Sequence, residues 1–471
     1  MHFAEEIDNI ICRTVSACAK NLGVEVYLVG GAVRDILLQR PCSDLDFVCT
    51  NKSIELAREC SKKLGNKKVT VFKTYGTAHF VYNNWDLEFV AARKESYSQE
   101  SRNPSVSPGT IKDDQLRRDF TINAMALSLQ EENFGALIDP FGGLQDLSNK
   151  IIKTPAHPDA TFSDDPLRML RAIRFAAQLN CTIEPECLNS IRRNHERVSI
   201  VSPERIMTEF NKIMMCPKPY HGLSLLFDCG LLKIFFPEMA RLHGIERRNG
   251  IAHKDNFYHT LQVLDNITKV SSDLWLRWAA ILHDIGKPKT KRFEEGHGWT
   301  FHGHEVVGAR MVPKIFGQLK LPMNEKMKFV QKLVEMHLRP ISLTKENITD
   351  SAIRRLLFDA GDDFESLMML CEADITSKNA FKVQRYLRNF ELVRARCKEV
   401  EDKDHIRNWQ PPITGEIIMK TFGLTPCRLV GDIKNAIKDA MLDGVIANDY
   451  EAAYTYMIEK GRELKLVPVK E

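Results

Sequence analysis

The chain has 471 residues, 44% of them hydrophobic and 27% charged, the balance of a soluble globular protein with room for about three domains of roughly 150 residues. Sixty-six Lys and Arg against 62 Asp and Glu leave a net charge of +4, so any basic surface must be local. No run approaches the ~20 apolar residues of a membrane span. The acidic start (Glu5, Glu6, Asp8) is unlike a signal peptide, and twelve cysteines without a CxxC pair read as small buried hydrophobes of a reducing, cytoplasmic compartment.

In chain order, Ile7, Ile10, Ile11, Val15 and Cys18 predict a helix over 1–22. A strand at 24–30 ends on Gly30-Gly31, a helix follows, and DLDFVC makes a second strand at 44–49. An amphipathic helix over 53–65 precedes strands at 68–73, 77–82 and 86–93, the last two a hairpin turned at Asn83-Asn84. Residues 95–115 are Ser/Pro-rich and read as a polar loop. From about 116 onward the pattern is helical. Breaks at 154–158, 246–250 and 410–412 divide the chain into a head (1–150), a helical neck (151–245), a histidine-rich helical segment (246–380) and a tail (381–471). The class is α+β: a small mixed α/β head followed by an elongated all-helical body.

The head holds the first chemistry. Gly30-Gly31 turns strand into helix, so backbone N–H groups there can face phosphates. Asp44 and Asp46, two apart on a strand, share one face while Leu45 and Phe47 take the other. Paired carboxylates repel unless a cation sits between them, and Mg²⁺ suits that need. LRRDFTINAMAL places Arg117, Arg118 and Asp119 at a helix start, and DPFGGLQDL (Asp139, Gly142, Gly143) makes a hinge-like turn. In DDPLRMLRAIRFAAQL, Arg168, Arg171 and Arg174 fall on one helical flank with Asp165 a turn before them. By itself this is a solvated basic face.

The body holds the second. His259, the adjacent His283-Asp284, His304, His337 and Asp374 lie in separate helical segments, and a His/Asp mixture without cysteine suits Ni²⁺ or Mn²⁺ better than structural zinc. His253 and His302 are rival ligands. In the tail, Lys378, Lys382, Arg385 and Arg388 form a cationic stripe opposite Val383, Leu387 and Phe390. Such a stripe is usually a solvated face; beside an RNA substrate it grips phosphates.

GGAVRD with SDLDF resembles the DNA polymerase β-like nucleotidyltransferases, and more narrowly the class II tRNA nucleotidyltransferases and bacterial poly(A) polymerases. The resemblance implies a polymerase β-like head in which Asp44 and Asp46 hold two Mg²⁺, with a third carboxylate from a neighbouring strand. Glu88 is the candidate, with Asp86 on the same side. It further implies that Gly30, Gly31, Arg34 and Arg118 cradle the triphosphate. Asp165 and Arg168 would read the base of CTP or ATP, with Arg171 and Arg174 as the following arginines of that motif. Residues 93–115 would reposition the site between additions. The second pattern resembles the HD phosphohydrolases, with His259, His283, Asp284 and Asp374 as one ligand set and His304 and His337 for a second ion. Together the two imply an enzyme that builds or repairs the 3′-terminal CCA of tRNA from CTP and ATP. The alternatives are a poly(A) polymerase, a CC-adding or A-adding enzyme, and an HD phosphohydrolase whose head only binds nucleotide.

Overall fold

The computed structural model describes all residues except 73–75, 99–100, 344–348, 378, 405, 408 and 470–471, and only the backbone of 95–98 and 101–105. Two compact units divide the chain, Met1–Ala240 and Arg241–Glu471.

The first unit contributes strands β1 (Val26–Val29), β2 (Asp44–Cys49), β3 (Thr70–Phe72), β4 (Thr77–Tyr82), β5 (Trp85–Ala91), β6 (Arg93–Ser98), β7 (Ser101–Pro108), β8 (Ala126–Ser128) and β9 (Leu137–Ile138). Seven of them make one sheet in the order β3-β4-β5-β2-β1-β8-β9. Neighbours run antiparallel except β2 and β5, which are parallel and set Asp44 opposite Asp86 and Asp46 opposite Glu88. On β2 the alternation decides the faces: Leu45 and Phe47 are buried, while Asp44 is exposed and Asp46 half-buried. Phe47, Phe89 and Phe80 stack across three strands on the apolar face, with ring centroids 5.0 and 5.7 Å apart. Each buried ring is worth about 1.5–3 kcal/mol. That packing fixes the register, and the register holds the acids together on the opposite face.

The sequence pattern departs from the structure in three places here. The first helix is Ile10–Leu22 rather than 1–22: Asn9 caps it, its Oδ1 accepting from Cys12 N at 2.9 Å. β6 pairs antiparallel with β7 where a loop was expected, and Thr110 and Asp113 build a capping box for the helix Ile111–Leu116. The Ser/Pro-rich composition gave no strand signal for that ribbon. Ala126–Ser128, within the stretch read as helix-periodic, is a sheet strand buried on both faces, where the two-residue alternation disappears. In the Asp139–Gly143 turn, the Asp139 carboxylate accepts from Gly143 N (2.7 Å) and Leu144 N (2.9 Å), and a Cβ on Gly143 would lie 2.2 Å from the Thr121 carbonyl oxygen.

The second unit packs the helices Asn256–Thr268, Leu274–Leu282, His304–Gln318, Glu325–Met336 and Phe364–Ala373 around Phe257, Trp278, Phe316 and Phe364. Among the described residues its strands are two short hairpins, Arg247–Arg248 with Ile251–Ala252 and Arg292–Glu294 with Gly298–Thr300. After the long helix Ala380–Asp404, three C-terminal helices gather a separate core on Ile413, Ile418, Ile433, Ile437 and Met457. No helix among the described residues is long and apolar enough to cross a membrane.

Candidate active sites: a carboxylate face and a histidine–aspartate cluster

β1 ends at Gly30, whose φ of 77° suits glycine, and the helix Gly31–Leu37 begins there. The second reason for glycine is space. A Cβ on Gly30 would lie 3.0 Å from Arg118 Nη1 and 3.2 Å from Asp46 Oδ2, so the turn, the arginine and the acid meet at one point. Burial pushes the Asp46 carboxyl up to about 6; Arg118 opposes the rise, while Glu88, Asp44 and Asp86 add to it. Four carboxylates on two adjacent strands thus crowd one partly buried face. Asp86 is also paired with His79 of β4, which leaves Glu88 in line with Asp46. This donor set of hard oxygens, with more negative charge than its arginine balances, fits divalent cations.

Arg118 is presented at the end of the helix Ile111–Leu116, not at a helix start. Asp114, fully buried, holds it through Nε at 3.0 Å and holds Arg117 through Nε at 3.0 Å as well. Sequence reasoning missed Asp114, although acids three and four residues before Arg117 and Arg118 are a helical ion-pair spacing.

Arg34, Arg171 and Arg174, which the resemblance implied for the nucleotide, are each engaged by partners within the fold, and Arg171 also lines the cavity that holds Asp165 and Arg168. Arg34 is 6% exposed, its fork bound to Asp35 (3.0 and 2.8 Å) and to Asn123 Oδ1 (2.7 Å). Asn123 donates in turn to Asp119 at 3.0 Å, and Asp119 accepts from Arg171 Nε at 2.8 Å. Arg174 pairs with the buried Glu209 at 2.9 Å and lies 4.2 Å over the Phe175 ring. Burial works against the Asp119 charge, but Arg171 and Asn123 outweigh it and bring that carboxyl down to about 2. These three arginines are therefore braces that tie the glycine turn to the helices Leu167–Leu179 and Pro203–Met214.

Asp165 and Arg168 remain at the surface of a cavity of about 370 Å³, shared with Arg117, Arg118, Arg205 and Thr208. Asp165 is not on the arginine helix. Pro166 breaks the chain between the helices Pro158–Asp164 and Leu167–Leu179, and Asp165 sits in the break, accepting from Leu167 N at 3.2 Å. Arg168 Nη2 donates to the Arg117 carbonyl at 2.7 Å, which aims the guanidinium along the cavity wall. The volume falls within the usual range of a small-molecule site.

In the second unit the helix ends converge. Asp284 Oδ2 lies 3.4 Å from His259 Nε2 and 3.3 Å from His283 Nε2, and Asp284 Oδ1 lies 3.3 Å from His304 Nε2. Asp374 Oδ1 reaches His259 at 2.8 Å and His283 at 3.6 Å. Each of His283, His304 and His337 donates its Nδ1–H to the carbonyl three residues back, at 2.8, 2.8 and 2.7 Å. That bond fixes the tautomer and leaves three buried Nε2 atoms without a hydrogen-bond partner. Two groups could each take an ion, His259/His283/Asp284 and Asp284/His304/His337, with Asp284 common to both. The orphaned nitrogens and the mixed nitrogen and oxygen donors fit divalent metal ions. His253 is half-buried, its ring occupied by Glu246 N and the Lys254 carbonyl, and His302 is exposed, so neither rival belongs to the cluster. Three partners were not read from the sequence: Lys287 on Asp284 (2.6 Å), and Lys254 and Thr376 on His259 Nδ1 (2.9 Å each).

Comparison with known proteins follows the same division. Residues 26–153 match the poly A polymerase head domain, 180–242 the probable RNA and SrmB-binding site of polymerase A, and 256–377 the HD domain. The multifunctional CCA protein of Nitrosococcus oceani is 33% identical over 382 residues, covering 77% of this chain and 87% of its own. That of Methylococcus capsulatus is 32% identical over 378 residues, covering 77% and 84%. The fold is shared with the Bacillus stearothermophilus CCA-adding enzyme solved with CTP (TM-score 0.67, 22% identity, 96% and 97% of the two chains). It is shared also with the Thermotoga maritima CCA-adding enzyme solved with tRNA (0.60, 20%, 98% and 97%). With a head, an RNA-binding segment and an HD domain in this order, and with relatives above 30% identity along most of their length, the chain belongs to the family of multifunctional CCA proteins.

Proposed function

We propose that the protein builds or repairs the 3′-terminal CCA of tRNA from CTP and ATP without a nucleic-acid template, at the face formed by Asp44, Asp46 and Glu88. The observation that carries this reading is the register of β2 against β5, which lines up those carboxylates beside the Gly30-Gly31 turn and Arg118. The 3′-hydroxyl oxygen of the RNA bonds to the α-phosphorus of the incoming nucleotide, the bond to the bridging oxygen breaks, and pyrophosphate leaves. Asp44 and Asp46, with Glu88, would hold Mg²⁺, which when bound would supply the charge that acidifies the hydroxyl and steadies the triphosphate. Gly30 lets the backbone approach the phosphates closely, and Arg118, pinned by Asp114, offers them a forked donor. Asp165 and Arg168 complement the base edge, an acceptor and a donor that together suit the Watson–Crick edge of cytosine or adenine.

Nucleotide incorporation on tRNA transcripts ending before CCA, after C and after CC tests this. Two C's, one A and then a stop are expected. A stop after CC, or addition only to the CC end, would mean a split-task enzyme. Unlimited A would mean a poly(A) polymerase, and no addition would leave the head as a nucleotide-binding regulator. Asp165→Ala and Arg168→Ala are expected to erode the choice between CTP and ATP by roughly 5- to 150-fold, the equivalent of ~1–3 kcal/mol per paired contact. Incorporation as such should survive in both.

A second reading rests on the independent geometry of the HD cluster. Its two ligand groups about Asp284 support a metal-dependent phosphohydrolase acting on phosphate esters such as 2′,3′-cyclic phosphates, with Ni²⁺ or Mn²⁺ as the ions these donors favour. Lys287 and Lys254, on the rim of the cluster, place positive charge where a phosphate oxygen would approach.

A further inference from the structure

The helix Ala380–Asp404 buries Phe390, Val393, Cys397 and Val400, at spacings of three and four. Phe381, Arg385, Arg388 and Leu392 fall on the opposite side at spacings of four, three and four, a line about 16 Å long at 1.5 Å per residue. Phe381 is 85% exposed and Leu392 64% exposed, large apolar groups held in water at either end of a cationic stretch. The sequence pattern put Leu387 on the buried side; it is 38% exposed and borders this line instead.

The ion pairing along the helix is uneven. Arg394 is bound by Glu365 and Glu372, and Arg396 by Asp350 and Glu399. Lys382, Arg385 and Arg388 make no ion pair among the described residues; Arg385 lies only over the Tyr386 ring, at 5.4 Å. Arg394 and Arg396 are thus paired within the fold, whereas Lys382, Arg385 and Arg388 near the start of the helix are exposed to solvent. Lys378, which the sequence pattern placed in the same stripe, lies outside the described residues.

We propose that this face is a single-stranded RNA platform, on which Phe381 stacks against an unpaired base while Arg385, Arg388 and Lys382 grip flanking phosphates. The inference rests on the reading of the protein as an RNA-modifying enzyme and specifies where the second unit holds that RNA. Charge complementarity selects the occupant. An apolar partner would be met by the same arginines unpaired, whereas an RNA strand supplies both a π-face for Phe381 and anions for the cations.

The test is equilibrium binding of the full-length protein to a labelled tRNA transcript ending in CC, titrated over salt concentration. Phe381→Ala is expected to weaken binding by roughly 5- to 100-fold with the salt slope unchanged, as loss of one stacked base requires. Arg385→Gln with Arg388→Gln is expected to flatten the slope of log K against log salt by about 1.4, at ~0.7 per phosphate contact on a single strand. Arg396→Gln on the same helix is the control and should change neither. Wild-type affinity and slope in both test variants would overturn the platform, as would a shift confined to the monomer–dimer equilibrium in sedimentation, which would make the face a contact between copies. Incorporation by the wild-type protein separates the two readings. Normal CCA addition with unaltered binding in the variants overturns only the platform. Altered binding with no nucleotide addition by wild type overturns only the nucleotidyltransferase.

Discussion

Asp46→Asn is expected to abolish nucleotide addition and, in the same molecule, to stabilise the metal-free protein. The first effect follows from the position of Asp46, opposite Glu88 and 3.2 Å from where a Cβ on Gly30 would lie, at the centre of the carboxylate face. Asparagine keeps the shape and removes the charge, so the loss should be about 10³-fold or more, equivalent to ~4 kcal/mol. Asp44→Ala should also abolish addition, while the phosphohydrolase activity proposed for the HD cluster should be unaffected. The second effect follows from the cause of the raised carboxyl. Burial, then the charges of Glu88, Asp44 and Asp86, bring Asp46 to about 6 against an ordinary 3.8.

Below pH ~4 Asp46 is protonated in both the folded and the unfolded chain and has no differential effect. Between about 4 and 6 the unfolded chain ionises first, so the metal-free fold loses stability as pH rises. The full shift of about two units would amount to ~3 kcal/mol, and partial solvent access reduces it to ~1–2 kcal/mol. Melting in EDTA should therefore show the Asn variant several degrees above wild type at pH 8 and level with it near pH 4. A variant that melts at or below wild type at pH 8 would show that the face carries no unrelieved charge. Mg²⁺ should narrow the gap by stabilising only the wild type.

What the sequence could reveal depended on whether a residue's role is set locally. The alternation of DLDFVC announces which side of β2 carries the acids, because period 2 is a property of the strand itself. Histidines and aspartates of the HD cluster were legible because few folds place so many in separate apolar helices. Glu88 was only a candidate, since its role depends on a parallel pairing with β2 that no local pattern encodes. The arginines show the same limit from the other side. Arg34 and Arg118 are chemically identical, yet Arg34 is sealed by Asn123, 89 residues away, while Arg118 is anchored within its own helix by Asp114 and keeps Nη1 at the turn. The break after Asp165 was in the sequence all along, as the proline that follows it. Arginine periodicity obscured it.

Asp284→Asn is expected to remove metal from both groups of the HD cluster at once, because it is the one residue they share, and with it all hydrolysis of 2′,3′-cyclic phosphate. Nucleotide addition should continue, since every residue of that site belongs to the other unit. His337→Ala touches a single group and should lower the metal content by one ion per chain rather than to zero, measured by elemental analysis of the purified protein. Proton release distinguishes the groups further. Burial opposes a charge on His283, but Asp284 and Asp374 outweigh it and push the ring up to about 10, so in the metal-free protein it carries a proton at neutral pH. Burial and the neighbouring His283 bring His337 down to about 4, so that ring is already neutral. Binding at His259/His283/Asp284 must therefore expel about one proton per ion, and binding at Asp284/His304/His337 need expel none from His337. Affinity at the first group should rise close to tenfold per pH unit between about 6 and 9, and calorimetry in two buffers of different ionisation enthalpy would count the proton directly. Metal uptake without proton release at pH 7 would show that His283 is neutral in the free protein. The Asp284–His283 pair would then not be the charge-bearing centre of the cluster, and Asp284→Asn should cost only its contact with Lys287, less than the ~3–5 kcal/mol of a broken buried pair.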